Sequence, residues 1–247
     1  MVLNAFDLAG KVAIVTGCDT GLGQGMTLGL AQAGCDIVGV NRRIPHETAE
    51  KVQALGRRFT AIQADLSRQD EIEDIVTQAV AAMGRIDILV NNAGTIRRAD
   101  ALSFSEKDWD DVMNLNLKSV FFLSQAVARQ FIQQGDGGKI VNIASMLSFQ
   151  GGIRVPSYTA SKSGVLGITR LMANEWAGHH INVNAIAPGY MATNNTQQLR
   201  DDAERSKAIL DRIPAGRWGV ADDLQGPVVF LASRAADYIS GYTLAVD

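Results

Sequence analysis

Short apolar runs alternate with longer amphipathic stretches along this chain. Lys11–Thr16, Ile37–Asn41, Thr60–Ala64, Ile88–Asn91, Lys139–Ile143, Asn182–Ile186 and Thr243–Val246 are mostly apolar at successive positions rather than at alternate ones. Continuous apolarity of this length predicts strands covered on both faces. Between them, Gly23–Ala33, His46–Leu55, Arg68–Met83, Ser105–Gln134, Tyr158–Ala177 and Ala221–Ser233 have helical length and apolar residues three and four apart. Uninterrupted strand–helix alternation predicts right-handed crossovers and an α/β fold, a parallel sheet with helices on both faces. No low-complexity linker or internal repeat divides residues 1–247, so one domain is expected. The least regular stretch, 189–217, is polar and predicts one or two short helices in an excursion that covers a ligand.

Composition narrows the partners. With 247 residues the chain can bury roughly 70% of its unfolded surface, so a core forms without disulfides. The net charge of −3 advertises no basic face, which argues against nucleic acid and anionic membrane as partners. Met1–Gly10 lacks a basic segment followed by an apolar run, and no stretch of eighteen apolar residues exists. A soluble cytoplasmic protein is expected. Cys18 and Cys35 make neither a metal spacing nor a disulfide framework, and His46, His179 and His180 share no ligand constellation, so no metal is expected.

After the first strand, Thr16-Gly17-Cys18-Asp19-Thr20-Gly21-Leu22-Gly23 opens into a helix. Glycines at 17, 21 and 23 permit a tight turn, and the helix N-terminus offers amides to a pyrophosphate. The spacing is Gly-x-x-x-Gly-x-Gly rather than Gly-x-Gly-x-x-Gly. The second strand ends at Asn41-Arg42-Arg43. A ribose-binding acid is missing there, and the arginines suit the 2′-phosphate of NADP(H), with solvated loop residues as the ordinary alternative. Asp65, followed by Leu66, closes the third strand, where a carboxylate could take an adenine amino group. Asn91-Asn92-Ala93-Gly94 closes the fourth, where small residues let a cofactor lie against the backbone.

Ser145 follows the fifth strand, at the same sheet edge as the glycine turn. Thirteen residues later, Tyr158 and Lys162 are i and i+4, neighbours on one helical face. A phenol with a reference pKa of about 10 is protonated at neutral pH, and a nearby ammonium favours phenolate. The pair predicts an acid/base group.

In this order, Thr16–Gly23, Asp65, Asn91–Gly94, Asn116, Ser145, Tyr158, Lys162 and Pro188-Gly189-x-x-x-Thr193 resemble the short-chain dehydrogenase/reductase family along nearly the whole chain. The resemblance implies a Rossmann-type doubly wound sheet and an NAD(P)-dependent enzyme acting on a CH–OH group. It makes Tyr158 the acid/base, Ser145 a ligand of the substrate oxygen, Lys162 the holder of the nicotinamide ribose, and Asn116 the holder of a relay water. It assigns Gly17, Thr20, Gly21, Leu22, Gly23, Asn41, Arg42, Asp65, Leu66, Asn92, Ala93, Gly94, Tyr158, Lys162, Pro188, Gly189 and Thr193 to the cofactor, with Thr193 at the carboxamide. NAD(H) is the cofactor the resemblance favours; Arg42 and Arg43 keep NADP(H) open. It also implies a homotetramer built on Ser105–Gln134 and Tyr158–Ala177, and further chain beyond Asp247.

Gly94–Asp100, Met146–Ser157 and Tyr190–Thr196, which flank the expected site, resemble the sugar-acid dehydrogenases of that family, and the resemblance implies a sugar-acid substrate. Its carboxylate needs a cation and its alcohols need amides or hydroxyls. Arg97, Arg98 and Arg154 are candidate carboxylate ligands; Gln150, Asn194 and Asn195, with Ser145, are candidate hydroxyl ligands. Each arginine alone is ordinarily a surface or interface residue, so at least one of the three is expected at the carboxylate. Rival readings are a gluconate 5-dehydrogenase or a 3-oxoacyl thioester reductase of the same fold, and a dinucleotide-sensing protein without turnover. The acidic charge and the polar Asn194-Asn195-Thr196 speak against an acyl-carrier substrate, and the intact Ser145, Tyr158 and Lys162 against a sensor.

Overall fold

Every residue of β1 (Val12–Thr16) is buried. Val12 and Ile14 face one hydrophobic core, Ala13 and Val15 the other, as the two-residue strand period requires. In the computed structural model, which describes residues 1–247, β1 is joined by six more strands in one wholly parallel sheet. They are β2 (Asp36–Asn41), β3 (Phe59–Gln63), β4 (Ile88–Asn91), β5 (Gly138–Ile143), β6 (Ile181–Pro188) and β7 (Thr243–Val246), in the spatial order β3-β2-β1-β4-β5-β6-β7. The chain steps outward from β1 to β3 and then crosses to β4 on the opposite side. That reversal opens a crevice at the carboxyl ends of β1 and β4, where open α/β sheets bind ligands.

The helices are α1 (Gly21–Gln32), α2 (His46–Ala54), α3 (Ile72–Met83), α4 (Glu106–Met113), α5 (Ser119–Gln134), α6 (Leu147–Gln150), α7 (Pro156–Trp176), α8 (Gln197–Asp201), α9 (Ala203–Leu210) and α10 (Gln225–Ala232). On one face of the sheet, α3, α5 and α7 bring Ile75, Leu123, Phe131 and Met172 into the core. On the other, α1 and α10 bring Met26, Leu30, Val228 and Leu231. Fully burying each such side chain contributes about 1.5–3 kcal/mol. The edge strands β3 and β7 keep partly exposed positions, so apolarity on both faces weakens there.

Several helices depart from the sequence expectation, two of them in the stretches that carry Asn116 and Tyr158. The single helix expected over Ser105–Gln134 is divided: Ser105 Oγ caps α4 by accepting from the Asp108 amide at 3.1 Å, and Asn114–Lys118 form a π-turn before α5. One inserted residue leaves the apolar period nearly intact, so the pattern does not reveal it, yet such turns gather at functional sites. The helix expected from Tyr158 begins two residues earlier at Pro156, whose fixed φ suits a first helical turn.

Candidate active site

A cavity of about 1860 Å³ opens over the carboxyl ends of the strands. At its floor, Gly17 adopts φ +65° and Gly21 φ +55°. A Cβ on Gly23 would stand 1.9 Å from the Gly17 carbonyl oxygen, so the turn exists only with glycine there. Thr20 makes no side-chain capping bond to α1 and the first turn carries no acid. The leading amides of α1 are therefore left for an anion. Asn92 ties β4 to this turn, its amide donating to the carbonyls of Thr16 (3.0 Å) and Gly17 (2.9 Å). Thr16 Oγ1 in return accepts from the amides of Asn92 and Ala93. Beneath them, the Asn91 amide reaches Ser124 Oγ and Asn142 Oδ1, locking β4 to β5 and α5. These features fit a dinucleotide, and all the cofactor residues expected from sequence line the cavity.

Ser145, just beyond β5, and Tyr158 and Lys162, on α7, share the same cavity. Lys162 is buried, and its Nζ donates to the Ile143 carbonyl at 2.5 Å, fastening α7 to the end of β5. Burial lowers its pKa from 10.5 to about 8. The ammonium lies 5.8 Å from the centre of the Tyr158 ring. Tyr158 walls the cavity half-buried, and desolvation raises its phenol above the ordinary value, opposed by hydrogen bonding with Ser145 and by the charge of Arg98. The sequence pairing anticipates Lys162 as the cation that favours phenolate. Of the forces on the phenol, burial is the largest and the charge of Arg98 works against it.

The two adjacent arginines have different surroundings. Arg97 does not line the cavity: Nε lies 3.3 Å from Asp108, Nη2 lies 3.7 Å from Asp111, and Nη1 donates to Thr95 Oγ1 at 2.9 Å. It clamps the 94–98 segment to α4. Arg98 faces the cavity with no carboxylate partner, donating to the Asn195 carbonyl at 3.0 Å. Arg154 also lines the cavity, in a left-handed backbone conformation (φ +63°) and 3.3 Å from Asp100. Gln150, Asn194 and Asn195 are on the wall. Asn116 is not: its side chain accepts from the Thr95 amide at 2.8 Å and donates to the Thr95 carbonyl and to Ser161 Oγ, bracing the Gly94–Thr95 turn against α7.

Sequence reasoning missed Asp19, the inward face of α9, where Arg205, Ala208 and Ile209 line the cavity, and Arg212 just beyond that helix. The α9 face was legible as a three- and four-residue spacing within the polar excursion. No group of three or more His, Cys, Asp or Glu side chains is arranged to hold a metal. Both thiols are free and buried, with Cys18 pushed up to about 12 by burial.

The arrangement offers a dinucleotide cradle, a protonated phenol beside a hydroxyl and an ammonium, and an unpaired guanidinium for an anionic substrate. Comparison with known proteins agrees. The family model described as short chain dehydrogenase matches residues 11–204. The chain is 75% identical over 247 residues to 2-dehydro-3-deoxy-D-gluconate 5-dehydrogenase of Escherichia coli K12, covering 100% of this chain and 98% of that protein. To the protein of the same name from Bacillus subtilis 168 it is 53% identical over 245 residues, covering 99% and 96%. The crystal structure of a gluconate 5-dehydrogenase from Burkholderia cenocepacia J2315, in complex with NADP and tartrate, superposes with a TM-score of 0.95 at 39% identity, covering 100% of this chain and 97% of that one. This chain belongs to the short chain dehydrogenase family.

Proposed function

We propose that this protein oxidises a secondary alcohol of a sugar acid, or reduces the corresponding ketone, as a 2-dehydro-3-deoxy-D-gluconate 5-dehydrogenase, an activity also called 2-deoxy-D-gluconate 3-dehydrogenase. The observation that carries the substrate class is Arg98, a cavity guanidinium with no carboxylate partner beside Tyr158. A substrate carboxylate completes it through charge-assisted hydrogen bonds. A nicotinamide dinucleotide, NAD(H) in this reading, would be held by the glycine turn, Gly94 and Lys162 and would supply hydride exchange at the substrate carbon. The chain's own groups do the rest. Tyr158 takes the hydroxyl proton in oxidation and returns it in reduction, Ser145 bonds the reacting oxygen, and Lys162 holds the ribose. The 189–217 excursion covers the substrate, consistent with Asn194, Asn195 and Ile209 on the cavity wall.

The same reading includes a cytoplasmic homotetramer. Trp109, Phe122, Ile132 and Leu171, exposed apolar side chains on α4, α5 and α7, support contacts along those helices. Initial rates with NAD and NADP against sugar acids and their carboxyl-reduced, neutral counterparts test the function. The account expects selectivity for the acids; equal kcat/KM for acid and neutral counterpart would overturn it.

A further inference from the structure

Two arginines meet on one stretch of the cavity wall. Arg98 and Arg154 both line the cavity, the first from the loop after β4 and the second from the loop after β5. The Ala99 amide donates to the Arg154 carbonyl at 3.1 Å, which sets the backbone beside Arg98 directly against Arg154. A carboxylate has two oxygens and about four acceptor positions, enough for both side chains. Arg98 has no carboxylate partner, but Arg154 has one: its Nε lies 3.3 Å from Asp100. Asp100 stands outside the cavity lining, so the pair holds the Arg154 head at the rim.

That pair is a poor strut. Its side chains are 54% and 70% exposed, and ion pairs open to water contribute little to stability. The two loops are already joined through the Ala99–Arg154 backbone bond, which any residue at 154 would supply. Arg154 moreover sits at φ +63°, in the left-handed region where glycine fits without strain and arginine does not. An arginine is thus kept where the backbone favours glycine, for a contact that scarcely holds the loops together. Strain of this kind gathers at ligand-binding positions. The Asp100 side chain has no second task. It makes no capping bond to the turn Ala101–Ser103 that follows, and its bonds with Ser103 run through its backbone carbonyl.

We propose that Asp100 is an internal competitor for the substrate carboxylate, a stand-in anion that occupies Arg154 until a sugar acid displaces it beside Arg98. Binding then exchanges one weak, solvated ion pair for charge-assisted hydrogen bonds inside the cavity. A neutral sugar leaves the pair intact, so Arg154 adds to the preference for an acid and Asp100 limits it. The proposal rests on the sugar-acid reading of the site.

Steady-state rates of the full chain with 2-dehydro-3-deoxy-D-gluconate and its carboxyl-reduced, neutral counterpart test this, read as the ratio of the two kcat/KM values. Asp100→Asn removes a charge from an exposed turn, and Arg154→Gly suits the left-handed backbone, so both variants should fold. Asp100→Asn should raise the acid-to-neutral ratio about two- to fivefold, the worth of an exposed ion pair. Arg154→Gly should lower it about tenfold, and adding Asp100→Asn to that variant should change nothing further. A ratio that falls or stays constant in Asp100→Asn overturns the proposal, since a strut would weaken binding whichever partner is lost. A rise in the doubly substituted protein equal to that in Asp100→Asn alone also overturns it, because Asp100 would then act by repulsion at a distance and not through Arg154. A wild-type ratio of one would instead refute the sugar-acid reading itself.

Discussion

Replacing Lys162 with methionine should remove an electrostatic penalty that the fold carries at neutral pH. Burial lowers the pKa of this ammonium from 10.5 to about 8. Between those two values the unfolded chain holds a proton that the folded chain has lost, so stability rises with pH across that window. Below pH 8 the full penalty is present, and the gap corresponds to about 3 kcal/mol. Methionine abolishes that term. It also deprives the Ile143 carbonyl of the donor now 2.5 Å away. A buried acceptor left unmet costs about 1–3 kcal/mol, and this cost does not depend on pH. Near pH 7 Lys162→Met should therefore equal or exceed the wild type in stability by about 0–2 kcal/mol while losing activity. From pH 7 to pH 10 the difference should move by about 2–3 kcal/mol in favour of the wild type. Urea unfolding of both proteins without cofactor, at several pH values across this range, measures it. A stability difference that stays constant with pH would show that Lys162 is not a buried, destabilised cation.

Arg98→Gln should raise KM for the sugar acid by about 10- to 100-fold, the worth of a charge-assisted hydrogen bond, with the cofactor Kd unchanged. Arg97→Gln, on the clamp to α4, should have a smaller effect, and steady-state kinetics on both variants gives the order. Gly23→Ala drives a methyl into the Gly17 carbonyl oxygen, so its melting temperature should fall and cofactor binding weaken by about tenfold or more. Calorimetry with titration of the cofactor reads both.

Much of this architecture is written in the residue pattern because burial on both faces forces it. Ile88–Asn91 and Thr243–Val246 fold as strands over the very residues their apolar runs span, and the other five strands differ by a few residues at their ends. The glycine turn, Ser145, Tyr158 and Lys162 converge because successive crossovers bring strand ends to one sheet edge. What the pattern hides depends on where polar side chains turn. Arg97 and Arg98 are adjacent in sequence, yet one is drawn to Asp108 and Asp111 and the other is left in the cavity. The bonds that hold the Asn116 side chain to Thr95 and Ser161 have no mark in the sequence. The π-turn at Asn114–Lys118 and the short helix Leu147–Gln150 carry no distinct period.

Tyr158 as the proton-transfer group of a sugar-acid dehydrogenase is the claim on which the rest depends. Its most direct test compares wild type with Tyr158→Phe, measuring nicotinamide absorbance during turnover of 2-dehydro-3-deoxy-D-gluconate and cofactor Kd by fluorescence. The substitution keeps the ring that walls the cavity and removes only the hydroxyl. The account predicts that kcat falls by about 100-fold or more, within the range general acid–base catalysis contributes, while the cofactor Kd stays close to that of the wild type. Near-normal turnover by Tyr158→Phe would contradict it.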